Sequence, residues 1–260
     1  MFSLHLTCAP ENVEALSYDL WEAGTLGIRE EDRGAQVELI AAFEHEIDIG
    51  PFDSLKPYWE REEDTDWVLA TQDAWPARTI GRRVFLAPVW NAEHTPAGRV
   101  RVVHNPGLAS GTGEHPCTQL ALESLEGCVS EGSVVIDVGT GSGILAIAAR
   151  KLGARIAVAL DMDLASLATA GENFELNEFS PTLAQGSVDC VASAIADVVV
   201  ANISGTVLLS LADELLRVVR DGDWLILTGF PESELSVIQG AFGSGAVTEM
   251  NEWRCLTLRL

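Results

Sequence analysis

The feature that most constrains this chain is the stretch 135–146, VIDVGTGSGILA. An apolar run with strand character empties into three glycines spaced G-x-G-x-G (Gly139, Gly141, Gly143) and passes at once into a helix pattern. A strand, a tight turn and a helix in so few residues is the opening move of a parallel α/β sheet. The rest of the chain continues the alternation. RIAVALD reads as a strand, DLASLATAGENFELN as a helix, PTLAQGS as a weak strand and DVVVANI as a strong one. VLLSLADELLRVVR then reads as one helix ended by DGD, followed by the strand WLILTGF and the helix ESELSVIQGAF. The last stretch, AVTEMNEWRCLTLRL, divides into a hairpin around Asn251–Glu252. The expectation is a doubly wound, seven-stranded sheet whose ligand lies at the carboxyl ends of its strands.

Upstream the rhythm differs. FSLHLTC alternates as a strand, PENVEALSYDLWEAG reads as a helix stopped by Gly24, and LGIRE and AQVELIAAF read as two more strands about the turn EDRG. This predicts a small α+β domain over 1–64, a connector over 65–104 carrying a strand or two with Trp67, Trp75 and Trp90, and the α/β domain over 105–260. The first 64 residues hold 16 Asp and Glu against 4 Lys and Arg, a net of −12 within a whole-chain charge of −23. Such a surface repels nucleic-acid phosphates and favours a basic partner. No apolar run reaches the roughly 20 residues of a membrane span, and the N-terminus has no signal-peptide pattern, so the cytoplasm is expected. The five cysteines are scattered without zinc-ligand spacing, which predicts reduced thiols and no metal. Cys117 stands apart only because it lies in the loop ahead of a helix.

The site candidates follow from the sheet. Glycines after the first strand let a ligand approach the backbone closely. Their spacing falls one residue short of the dinucleotide fingerprint G-x-G-x-x-G, and Asp137 before them suits a cationic group better than a pyrophosphate. Asp161 closes the second strand, 22 residues after Gly139, where a carboxylate accepts both hydroxyls of a ribose, whether of NAD or of S-adenosylmethionine. Asp163 is the more natural cap of the following helix. Asn202 closes the fourth strand, where its amide suits the orientation of an amine nucleophile and has no part in hydride transfer; local turn bonding is the alternative. A second glycine-rich loop, NPGLASGTGEHPCTQ over 105–119, precedes the first by about twenty residues.

Together NPGLASGTGEHPCTQLALESLE, VIDVGTGSGILAIAARKLGA, ALDMD and DVVVANI resemble the ribosomal protein L11 methyltransferases (PrmA), strongly over about 101–260. The glycine strand is common to most class I methyltransferases, whereas the G-T-G-x-H-P-x-T loop is far more specific. The resemblance implies S-adenosylmethionine as cofactor and amino groups of a large-subunit ribosomal protein as acceptors. It implies Thr118, Gly139, Asp161 and Asn202 as cofactor contacts, with the first loop covering the methionine end. Gly141 and Asp137 join them on the physical grounds above, and Ser187 is placed toward the adenine. His115 is either a loop-ordering hydrogen-bonder or a cofactor contact. The chain departs from the family at Ser110, where an aromatic is usual, at Cys117, which replaces a threonine, and in a shorter N-terminal region. A change of acceptor to another protein or a small molecule, or a non-catalytic cofactor-binding role, are the alternatives these departures raise. No general base stands out; Asn202, with backbone carbonyls, is the expected catalytic orienting group.

Overall fold

The computed structural model describes the chain except residues 1, 26, 35, 62–75 and 106–112. It divides into two compact units, Met1–Ala74 and Trp75–Leu260.

In the first unit, β1 (Phe2–Cys8), β2 (Gly27–Asp32), β3 (Val37–Phe43) and β4 (Tyr58–Arg61) form one antiparallel sheet in the order β2-β3-β1-β4. Period-2 alternation puts Leu4, Leu6, Cys8, Leu39, Ala41 and Phe43 on one face, where they form an apolar core with Leu20 of α1 (Val13–Glu22). The other face carries His5, whose Nδ1 bonds Glu38 at 2.9 Å and whose ring stacks on Tyr58. Hydrogen bonds from His5 and Arg33 hold the buried Glu38 carboxyl down to about 2. Strand β4 is an addition to the four elements the sequence pattern announces; its Trp59 meets the edges of Phe2 and Phe43.

The second unit opens with a three-stranded sheet, β5 (Arg78–Ile80), β6 (Val84–Pro88) and β7 (Val100–His104), in that order. Ile80, Val84, Leu86 and Val102 share a core with α2 (Pro116–Cys128) and α3 (Ile144–Leu152), so this stretch is packed into the larger unit. Of the three tryptophans read here, Trp67 and Trp75 fall outside the described residues.

The main sheet is β8 (Val134–Val138), β9 (Ile156–Asp161), β10 (Leu183–Gln185), β11 (Ala196–Asn202), β12 (Val219–Pro231), β13 (Ala246–Met250) and β14 (Trp253–Arg259). Its spatial order is β10-β9-β8-β11-β12-β14-β13, parallel except for β14, which runs antiparallel to both neighbours. Both faces of its central strands are buried. Val135, Val198, Val200 and Ile226 face α2 and α3, while Ile136, Val199, Ala201, Leu225 and Leu227 face α5 (Gly205–Ser210), α6 (Ala212–Val218) and α7 (Leu235–Phe242). α4 (Leu164–Leu176) packs against β9 and β10, capped by Asp163, whose Oδ1 accepts the Ala165 N–H at 3.0 Å. Among the described residues no helix is long and apolar enough to cross a membrane.

One expected helix needs correction. The stretch 207–220 is two short helices that meet at Leu211 and stop at Val218, its last two residues belong to β12, and DGD does not end a helix; it lies inside β12. Val219 pairs with Ala196, and Arg220 forms an ion pair with Asp197, so strand pairing captures residues that a helical pattern would have kept.

Candidate functional site

The chain enters the sheet at β8, runs outward through β9 and β10, and then crosses to β11 on the other side of β8, so the strand order reverses between the paired neighbours β8 and β11. A crevice at the carboxyl ends of two such strands is where open α/β sheets bind ligands. A cavity of about 350 Å³ opens there, lined by His115, Thr118, Gly139, Thr140, Gly141, Ile144, Leu145 and Asn202. That volume lies within the roughly 300–1,000 Å³ of small-molecule pockets.

The floor is the glycine turn. Gly139, Gly141 and Gly143 take φ of 72°, 54° and 80°, which L side chains rarely adopt. Space matters as much as conformation. A Cβ on Gly139 would stand 2.4 Å from Cγ2 of Ile203, the residue after Asn202. A side chain at 139 would therefore force Ile203, at the end of β11, to move away from the turn.

Two carboxylates support this turn. Asp161, half-buried at the end of β9, accepts the Gly141 N–H at 2.9 Å through Oδ2 and the Asp163 N–H at 3.0 Å through Oδ1. Each oxygen keeps lone-pair capacity. Asp137 is fully buried; its Oδ2 accepts from the Thr140 hydroxyl at 2.6 Å and the Ala146 N–H at 3.1 Å, whereas Oδ1 has no partner. Burial pushes this carboxyl up to about 7, and the nearby Asp161 charge pushes the same way.

The opposite wall begins at α2. His115 caps the helix, its Nδ1 accepting the Cys117 N–H at 3.3 Å, and its ring meets Trp253 edge-on at 4.6 Å between centroids. Cys117 is buried, and burial raises its thiol above the ordinary value, so it is a packing residue. Thr118 is also buried, and its hydroxyl accepts from Asn202 Nδ2 at 3.2 Å. That bond leaves the Asn202 Oδ1 without a described partner beside the cavity.

The fold thus gathers Thr118, Gly139, Gly141 and Asn202 around one cavity. Asp137, Asp161 and Ser187 are not among the lining residues. Asp161 ends the next strand, and Ser187 follows β10, tied in through the Gly186 N–H bonded to the Asp161 carbonyl at 2.9 Å. Asp137 supports the turn from inside the protein. Of the departures from the family, Ser110 lies outside the described residues. Thr140, Ile144 and Leu145 are lining residues that sequence reasoning passed over. They are the unremarked partners of the glycines, and only the turn's path aims them inward. Among the described residues no three His, Cys, Asp or Glu side chains converge as metal ligands.

A nucleoside cofactor with a cationic end fits this chemistry. The turn is built on glycines in the left-handed region, an unpaired buried carboxylate oxygen stands beneath it, and a second carboxylate with free lone pairs ends the adjacent strand.

Comparison with known proteins agrees. The family model "Ribosomal protein L11 methyltransferase (PrmA)" matches residues 31–260. A ribosomal protein L11 methyltransferase of Shouchella clausii is 37% identical over 226 residues, covering 84% of this chain and 70% of that protein. One from Streptococcus pyogenes is 37% identical over 206 residues, covering 75% and 63% respectively, so the match spans about two thirds of these relatives' length. The crystal structure of a ribosomal protein L11 methylase from Lactobacillus delbrueckii subsp. bulgaricus superposes with a TM-score of 0.65 at 31% identity, over 71% of this chain and 99% of that one.

Proposed function

Because this chain belongs to the ribosomal protein L11 methyltransferase family (PrmA), we propose that it transfers methyl groups from S-adenosylmethionine to amino groups of a large-subunit ribosomal protein. The observation that carries this reading is Asn202, set against the glycine cradle with its amide nitrogen engaged by Thr118. S-adenosylmethionine, when bound, supplies a methyl already activated on a sulfonium sulfur. What the chain adds is binding and alignment.

Gly139 and Gly141 admit the cofactor to the backbone, the free lone pairs of Asp161 suit two ribose hydroxyls, and Asp137 suits a cationic group. Ser187 is assigned to the adenine side. Asn202 Oδ1 accepts an N–H of the incoming amine and holds its lone pair toward the cavity. A free lysine amine has a pKa of about 10.4, so it must be neutralised as it enters; leaving water for this crevice favours the uncharged form. The first unit, with its acidic surface, is assigned to recognition of a basic substrate, and the site of action is the cytoplasm, where ribosomes are.

The test is transfer of tritiated methyl from S-adenosylmethionine to ribosomes of a strain lacking the modification. Label in one large-subunit protein, abolished by Asp161→Ala, is expected; label absent from ribosomes would reject the ribosomal acceptor.

A further inference from the structure

Two asparagines of the α4 region are almost wholly buried: Asn173 at 0% and Asn177 at 2% exposed. Buried amides in a helix are costly unless every polar atom finds a partner. Here the partners come from two other elements. Asn177 Oδ1 accepts the Val103 N–H at 2.9 Å, and its Nδ2 donates to the Val103 carbonyl at 2.6 Å. Asn173 Oδ1 accepts the Asn105 N–H at 2.8 Å, and its Nδ2 donates to the Ser142 carbonyl at 2.9 Å. A last bond joins the pair, from Asn177 Nδ2 to the Asn173 carbonyl at 2.7 Å.

The spacing explains the pattern. β7 pairs with β6 through Val100, Val102 and His104, so the N–H groups of Val103 and Asn105 point away from that partner. Alternate strand residues are about 6.6 Å apart, and residues four apart on a helix rise about 6 Å. Asn173 and Asn177 therefore substitute for a missing neighbour strand at the edge of β7. Asn173 goes further, because Ser142 lies between Gly141 and Gly143.

We propose that Asn173 is a positioning residue for the cofactor site: it ties the exit of β7, where the first glycine-rich segment begins, to the glycine turn of the second. The proposal rests on the cofactor reading above. It predicts a division of labour between two chemically identical side chains. Asn177 secures the strand, and Asn173 also sets the turn that receives the cofactor.

The experiment measures binding of S-adenosylhomocysteine by calorimetry, with thermal melting, for the whole protein and three variants. Asn173→Ala is expected to weaken binding about tenfold, raising the cofactor KM while kcat at saturating cofactor changes much less. Asn173→Asp keeps an acceptor for Asn105 but loses the donor to Ser142; it should show a similar loss and carries the test if the alanine variant does not fold. Asn177→Ala should lower the melting temperature yet leave affinity within about twofold, since its bonds do not reach the turn. Unchanged affinity in folded Asn173 variants, or an equal loss in Asn177→Ala, would overturn the assignment. Failure of the unaltered protein to bind would instead bring down the cofactor reading itself, and this proposal with it.

Discussion

Asp137 is fully buried, and only one of its carboxylate oxygens has partners. Burial raises its pKa to about 7, so it holds a proton at pH 6 and is mostly ionised at pH 8. For the free fold the sign is unfavourable: a raised carboxyl pKa means stability declines as pH rises from about 4 through 7. For a ligand bearing an ammonium group the sign reverses, because the cation prefers the ionised form. S-adenosylhomocysteine is therefore expected to bind more tightly as pH rises from 6 to 8, by at most about tenfold per unit below the pKa. Asp137→Asn should flatten that dependence, and calorimetry across this range measures it. Asn202 belongs to the same scale with a different signature. With Nδ2 given to Thr118, the proposed mechanism leaves its oxygen to serve the incoming amine, an interaction that would be strongest as the reaction proceeds. Asn202→Ala should cut single-turnover rate by about 10²-fold while cofactor affinity falls far less. Equal losses in both would make Asn202 a plain cofactor contact.

At the scale of elements, the ends of β11 and β12 have to approach closely for Asn202 to stand where it does. Gly229 permits this. Its φ is +98°, and a Cβ there would lie 2.3 Å from the Ile203 carbonyl oxygen and 2.9 Å from its nitrogen, which are backbone atoms that cannot rotate aside. Gly222, on the same strand at φ +85°, has nothing within 4 Å. The two positions separate backbone strain from steric displacement. Gly222→Ala should lower stability by roughly 1–3 kcal/mol with turnover intact. Gly229→Ala should lose at least as much and also reduce kcat, because Ile203 must shift and Asn202 with it. Thermal melting and steady-state kinetics on both variants check this; similar kcat values would dissociate Gly229 from the site. The end of α6 at Val218 is a case of pairing overriding local preference. The sequence 212–218 is helical as its periodicity requires, but the β-branched Val219 is taken by Ala196 across the sheet.

For the whole molecule, the charge is −23, and the first 64 residues carry −12 of it. Glu30, Glu44 and Glu46 are exposed in that unit. If its field draws in a basic protein, raising salt should slow the rate at limiting protein substrate and leave the saturated rate nearly unchanged, since screening sets in over about 8 Å at physiological ionic strength. Changing those three glutamates to lysine should flatten the salt profile, and identical profiles would reject steering by this surface. Local pattern along the chain carries the alternation that makes a doubly wound sheet, the glycine turn after the first strand, the carboxylate ending the second, the Asp163 cap and the amide ending the fourth. These are legible because period, turn chemistry and strand ends are set by neighbours in the chain. Packing is what makes Thr118 hold the Asn202 amide from 84 positions away, leaves one Asp137 oxygen unpaired, sets residues 78–104 on α2 and α3, and lets Asn173 bridge two loops. Each of these is a contact between segments distant in sequence, fixed by which surfaces and polar atoms the packed sheet brings face to face, and no local pattern records it.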